Sequence, residues 1–238
     1  MSFNYEHIDA PSDAEFITKA LNWLIERIRS VTEARGDCII GLSGGATPAG
    51  VYKQLGRDTS IAWDRVKVFL VDERYVPADH KNSNQRLVRQ TLLLNAQIPE
   101  ENLVFPDATQ PLAHCIDTYA QRLAELLQEN PPDLVVLGMG PDGHIASLFP
   151  PVPKEAFGEV MVLHTTTDLF PEHDRITVSP LVIMSAQAHL LLLRGSEKKQ
   201  MLEEMLRSDM NPVRWPMHIP LSTQRTTVIL DPTGGVGS

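Results

Sequence analysis

The sequence predicts an α/β fold, a mainly parallel, Rossmann-like sheet flanked by helices on both faces, and two observations carry that expectation. Short apolar runs at 38–42, 66–71, 133–137, 189–193 and 226–230 lack polar alternation, as strands covered on both faces do. Helix-like segments separate most of them, the pattern that parallel crossovers require. With 238 residues the chain can bury a sizeable core, and it reads as one domain over 1–238 with no internal repeat, low-complexity tract or long linker.

The elements follow in order. Ser12 with Glu15 forms a capping-box pattern, apolar residues recur at helical spacing from Phe16 to Val31, and Gly36 ends the helix. The 38–42 strand runs into a glycine-rich turn with Pro48 opening a helix over 49–55, and the 66–71 strand leads to a helix over 83–94 with Ser83 as its N-cap. Helices are further expected at 112–128, 180–186 and 197–208, a proline-rich loop at 149–153, and a frayed tail at 234–238.

Composition narrows the function. Hydrophobic residues make up 42% and charged residues 21%, ordinary for a globular protein. A net charge of −9 disfavours nucleic acid or an anionic membrane as partner, so an anionic small substrate would need a local basic pocket. Cys38 and Cys115 lie in separate apolar segments and form no metal or redox motif. Residues 1–10 have no apolar core and no segment has the length of a membrane span, so a cytoplasmic protein is expected.

Ligands of such sheets collect beyond the carboxyl ends of the strands, and the unusual motifs fall there. After the 133–137 strand, Gly138, Gly140 and Gly143 hinge a turn that delivers Asp142 and His144. An imidazole titrating near neutrality suits a general base. Ser147 stands close by but outside a Gly-x-Ser-x-Gly elbow, so it is not expected to be a nucleophile. The Ser43-Gly44-Gly45-Ala46-Thr47-Pro48 turn offers free N–H groups and a helix N-terminus to a phosphate, or serves only as a connection. It lacks a dinucleotide fingerprint and a P-loop lysine. Asp72, Glu73 and Arg74 are expected to end the second strand, where Arg74 either neutralises its neighbours or clamps an anion. Arg175 at a strand start and Lys198 at a helix start are further candidates for anion binding.

Taken in order, Ser43-Gly44-Gly45-x-Thr47-Pro48, Asp72-Glu73-Arg74-x-Val76-Pro77, Ser83-Asn84, the 138–150 segment, Arg175-Ile176-Thr177 and Gly195-x-x-Lys198 resemble the 6-phosphogluconolactonase family. The resemblance spans nearly the whole chain. It implies the fold of glucosamine-6-phosphate deaminase and hydrolysis of 6-phospho-D-glucono-1,5-lactone in the pentose phosphate pathway, without metal or cofactor. Apart from the resemblance, a monomer or small homo-oligomer is expected. One departure is Pro171-Glu172-His173-Asp174 ahead of Arg175, where family members often have a more proline-rich approach.

Lactone hydrolysis needs an activated water and a stabilised oxyanion, so His144 is expected to be the base, with Asp142 or Glu73 orienting it and Arg74 stabilising the carbonyl oxyanion or holding the product carboxylate. The Ser43-Gly44-Gly45 loop with Thr47, Asp72, Arg175 and Lys198 would form the substrate and phosphate site. The deaminase is the alternative, but its pattern after the histidine continues to an Ala-Phe-Asn-Glu-Pro run. This chain reads Ala146-Ser147-Leu148-Phe149-Pro150, without the glutamate. A sugar-phosphate sensor on the same fold would carry an added DNA-binding helix-turn-helix, whereas the α/β pattern here starts by Ser12.

Overall fold

The structure is a computed structural model and describes residues 3–234. The elements run β1 (Glu6–Asp9), α1 (Asp13–Arg35), β2 (Cys38–Leu42), α2 (Ala46–Leu55), β3 (Val66–Leu70), β4 (Asp72–Arg74), α3 (Asn84–Gln90) and β5 (Leu103–Val104). Then come α4 (Leu112–Leu126), β6 (Leu134–Leu137), β7 (Val162–Thr166), β8 (Asp174–Val178) and α5 (Pro180–Ser185). The last are β9 (His189–Arg194), α6 (Ser196–Arg207), α7 (His218–Leu221) and β10 (Thr226–Asp231).

Seven strands form one parallel sheet in the order β1-β10-β9-β6-β2-β3-β5. Successive side chains of a strand point to opposite faces, and here both faces are covered. Cys38, Ile40 and Leu42 pack with α1 and α2 residues such as Phe16, Leu24 and Tyr52, whereas Ile39 joins Tyr119 and Leu123 of α4 on the other side. The same split divides Leu134 and Val136 from Val135 and Leu137. Burial on both faces is the reason these runs show no polar alternation.

The order of strands also locates a crevice. From β2 the chain builds outward through β3 and β5, then returns to lay β6 on the opposite side of β2. The connections therefore leave β2 and β6 in opposite directions, and their carboxyl ends flank an opening.

Local details match the sequence unevenly. Ser12 Oγ accepts from the Glu15 amide at 3.3 Å and Gly36, at φ 94°, closes α1. The Glu15 carboxylate, however, turns to Lys19 at 2.9 Å instead of completing the box. α2 starts at Ala46, ahead of Pro48. Regular α3 ends at Gln90, short of the expected 94, because the Thr91 hydroxyl takes the Leu87 carbonyl at 2.6 Å and the chain continues as turns. The edge strands β1 and β5 were not expected, being polar in one case and two residues long in the other.

One correction matters for function. Asp72, Glu73 and Arg74 do not end the second strand of the main sheet. They form β4 of a separate antiparallel sheet, β4-β8-β7, at the carboxyl end of β3. The amide of Val178 donates to the Val71 carbonyl at 2.8 Å and ties the two sheets together. Of the expected frayed tail, residues 235–238 lie outside the described residues.

Candidate active site

The turn after β6 is shaped around one ring. Gly140 donates its N–H to the His144 carbonyl at 2.8 Å, and a Cβ on Gly140 would fall 2.0 Å from His144 Cε1. Only glycine lets the imidazole lie against that backbone. Gly143, at φ 87°, and Ala146, at φ 48°, complete the turn with left-handed conformations on either side of His144 and Ile145. His144 Nδ1 meets Asp142 Oδ1 at 2.5 Å, and the same oxygen accepts the His144 amide at 3.3 Å. An ionised carboxylate only accepts, so this contact places the proton on Nδ1 and leaves Nε2 with a lone pair. Burial pushes the Asp142 carboxyl upward, but the hydrogen bond and charge of His144 outweigh it and hold the group below its ordinary value. Phe149 packs on the imidazole at 4.5 Å between centroids and Phe170 meets it edge-on at 5.9 Å.

Glu73, the other carboxylate expected near the imidazole, is elsewhere. It lies on the opposite face of β4 from Asp72 and Arg74. There it accepts the amides of Arg74, Asn84 and Gln85 at 2.7–2.8 Å and the Ser83 hydroxyl at 3.0 Å. It is an anchor for the α3 N-terminus, where a carboxylate satisfies free N–H groups. Ser83 also caps α3, its hydroxyl accepting from the Arg86 amide at 3.1 Å.

β4 pairs with β8 so that Arg74 sits opposite Arg175 and Asp72 opposite Thr177. The two guanidiniums therefore share one face of the small sheet. Burial, with the like charge of Arg74 behind it, lowers the pKa of Arg175 against the pull of Asp72, Glu172 and Glu73. Arg175 also lies over the rings of Phe149 and Phe170, at 5.9 and 5.4 Å.

Two helix N-termini complete the cleft. α2 and α6 are both entered through a glycine at φ 99°, Gly45 and Gly195, with no side chain capping the free N–H groups. Next to Gly45, Gly44 is required by close approach, since a Cβ there would fall 1.8 Å from Asn84 Oδ1. The Ser43 carbonyl accepts the buried Tyr52 hydroxyl at 2.9 Å, and Ser43 Oγ is buried without a partner. Lys198 stands in the first turn of α6, its pKa lowered by burial against the pull of Asp142 and Glu197. Arg194, one residue before Gly195, is consumed by Asp13 at 2.6 Å and Asp231 at 3.1 Å.

These parts enclose a cavity of about 340 Å³ at the switch point. Of the residues singled out in the sequence, Ser43, Gly44, Gly45, Thr47, Asp72, Arg74, His144, Arg175 and Lys198 line it, and Asp142 stands behind His144. Sequence reasoning missed Phe170, a lone aromatic in a loop with no spacing to mark it. It also missed the pairing of the Asp72-x-Arg74 and Arg175-x-Thr177 faces, for which a period of two in both segments was the available signal. Among the described residues, no group of three His, Cys, Asp or Glu is placed to hold a metal, and no helix is long and apolar enough to cross a membrane.

Sheet order and cleft place the molecule in the class of doubly wound α/β proteins with a cleft at the carboxyl edge of the sheet. Residues 11–229 match the model of the glucosamine-6-phosphate isomerases/6-phosphogluconolactonase family, and the chain belongs to that family. It is 38% identical over 217 residues to a probable 6-phosphogluconolactonase of Dictyostelium discoideum, covering 90% of this chain and 92% of the relative. The solved 6-phosphogluconolactonase from Plasmodium vivax aligns with a TM-score of 0.89 at 27% identity, over 98% of this chain and 92% of that one. A monomeric glucosamine-6-phosphate deaminase aligns with a TM-score of 0.81 at 20% identity, over 95% of this chain and 97% of that one, a likeness of fold.

Proposed function

We propose that this protein hydrolyses 6-phospho-D-glucono-1,5-lactone to 6-phospho-D-gluconate, the lactone-opening step of the oxidative pentose phosphate pathway. The observation that carries the reading is a carboxylate-oriented imidazole and two guanidiniums without ion pairs lining one cavity. The relatives that bear the name of this enzyme support it.

The chemistry asks for an activated water, a stabilised oxyanion and a positioned ester. His144 Nε2 takes a proton from water as the water oxygen attacks C1, while Asp142 steadies the imidazolium that forms. The C1–ring oxygen bond then breaks and His144 returns the proton to the departing oxygen. Arg74 stabilises the negative charge on the carbonyl oxygen or holds the product carboxylate. The Ser43-Gly44-Gly45 loop, Thr47, Arg175 and Lys198 bind the 6-phosphate, so that energy remote from the reacting carbon fixes its position. Asp72 lines the same cavity as an acceptor for substrate hydroxyls. The reaction uses no metal or cofactor, and residues 1–238 act as one domain in the cytoplasm, as a monomer or small homo-oligomer.

Deamination of glucosamine 6-phosphate is not favoured. The segment after His144 places Ser147 on Asp72, Leu148 in the core and Phe149 on the imidazole, and none is a carboxylate. Acid release from the lactone, measured above an enzyme-free control and scaling with protein, tests the proposal. No acceleration by the folded protein would refute it.

A further inference from the structure

A carboxylate beside two arginines ordinarily pairs with one of them, and here it pairs with neither. Asp72 and Arg74 share a face of β4 two residues apart, and Arg175 is the diagonal neighbour of Asp72 across the ladder, within reach of a long side chain. Instead, Asp72 Oδ2 accepts the Ser147 hydroxyl at 2.7 Å and Oδ1 accepts the Asn84 side-chain amide at 3.2 Å. Arg74 donates to the Asn82 carbonyl at 2.5 Å and keeps a buried Nε without a partner. Arg175 donates from Nε to the Glu172 carbonyl at 2.8 Å. The arginines in ion pairs among the described residues are Arg29, Arg35, Arg65, Arg89, Arg194 and Arg207.

The two donors to Asp72 are themselves fixed. Ser147 is fully buried, its N–H donating to Thr177 Oγ1 at 3.2 Å and its carbonyl accepting the Thr165 hydroxyl at 2.8 Å. Asn84, 1% exposed, also donates to the Asp72 carbonyl at 2.9 Å, so its amide cannot turn without breaking two bonds. Ser147 thus has a use other than nucleophilic attack.

We propose that Ser147 and Asn84 are positioning residues that hold the Asp72 carboxylate off Arg74 and Arg175, keeping both guanidiniums unneutralised for the anionic groups of the substrate. The identity of that anion rests on the sugar-phosphate function proposed above. A released Asp72 competes with the ligand from within the protein. If it occupied the arginines for about nine-tenths of the time, the anion would bind about tenfold more weakly.

The test is equilibrium binding by titration calorimetry of inorganic phosphate, which carries no sugar hydroxyl for Asp72 to accept, to the wild type, Ser147→Ala, Asp72→Asn and the double variant. Ser147→Ala is expected to weaken binding about tenfold. Adding Asp72→Asn restores it, by a larger factor than the same substitution gives in the wild type. A carboxylate acting only as a fixed negative charge would raise affinity by the same factor in both backgrounds. That result, or unchanged affinity in Ser147→Ala, overturns the proposal. If Ser147→Ala does not fold, Ser147→Cys, whose thiol is a weaker donor, carries the same comparison with a smaller loss. Because binding is read without turnover, failure of the protein to hydrolyse the lactone would remove the proposed reaction and leave the phosphate measurement intact.

Discussion

Two cavities at opposite ends of the sheet differ in a way that separates a site from a space. The larger, of about 600 Å³, opens at the amino ends of the strands and is lined by Arg35, Lys67 and Arg122 among others. All three cations are engaged. Arg35 pairs with Asp133 at 2.5 Å, Lys67 with Asp37 at 2.8 Å, and Arg122 donates to the Leu103 and Phe105 carbonyls at 2.8 and 3.2 Å. The smaller, of about 340 Å³, lies at the carboxyl ends, and its Arg74, Arg175 and Lys198 have no carboxylate partner among the described residues. Volume alone would favour the amino end. Unneutralised charge beside an oriented imidazole is found at the carboxyl end, where the proposed function puts the site.

Substitutions at the two ends should therefore fail differently. The largest effect is expected from His144→Ala, which lowers kcat roughly 10²- to 10⁴-fold with little change in KM, because a base acts on water and not on ground-state binding. Near wild-type turnover after subtraction of spontaneous hydrolysis would remove His144 as the base. Next, Arg175→Ala and Lys198→Ala should each reduce kcat/KM for the phosphorylated lactone about 10- to 100-fold, the worth of a charged hydrogen bond. Unphosphorylated gluconolactone should be affected much less. Equal proportional losses on both substrates would take these cations away from the phosphate.

At the amino end the expectation is a loss of stability with turnover kept. Asp133 accepts the Ile39 amide at 2.8 Å as well as Arg35, so Asp133→Ala strands a buried N–H. Denaturant unfolding should show a loss of about 1–3 kcal/mol, with Arg35 rehydrated and kcat/KM of the remaining folded enzyme unchanged. A loss of turnover without a loss of stability would collapse the distinction between the two ends. The smallest effect concerns Asp142. Its folded pKa lies below the ordinary carboxylate value, so its contribution to stability is present above that value and disappears as pH falls through the folded one. The difference in melting temperature between wild type and Asp142→Asn should accordingly narrow on acidification, and widening would reverse the assigned direction.

How much of this the sequence discloses depends on whether local chemistry decides the outcome. The core strands were legible because burial on both faces writes itself as uninterrupted apolar runs, as in β2 and β6. His144 and the Gly44-Gly45 turn were legible for a similar reason, since a backbone that approaches a side chain closely, as at Gly140 and Gly44, or takes a positive φ, as at Gly45, has to dispense with Cβ. The small antiparallel sheet was not. Its strands are short and charged, and the partners Arg74 and Arg175 are far apart in the chain, so pairing is settled by tertiary contact. The same holds for Glu73. Nothing in the run Asp72-Glu73-Arg74 says which acid faces the cleft until the strand's alternation is fixed, and that alternation turns Glu73 toward the α3 N-terminus.

The most direct measurement gives the purified protein both sugar phosphates that the family accommodates. Both carry a 6-phosphate, so binding does not separate them, and only the chemistry does. The expected result is acid released from 6-phosphogluconolactone at a rate proportional to enzyme and above the uncatalysed rate, with no ammonia from glucosamine 6-phosphate. Ammonia release that scales with enzyme, without faster lactone hydrolysis, would contradict the account and assign the cleft to deamination.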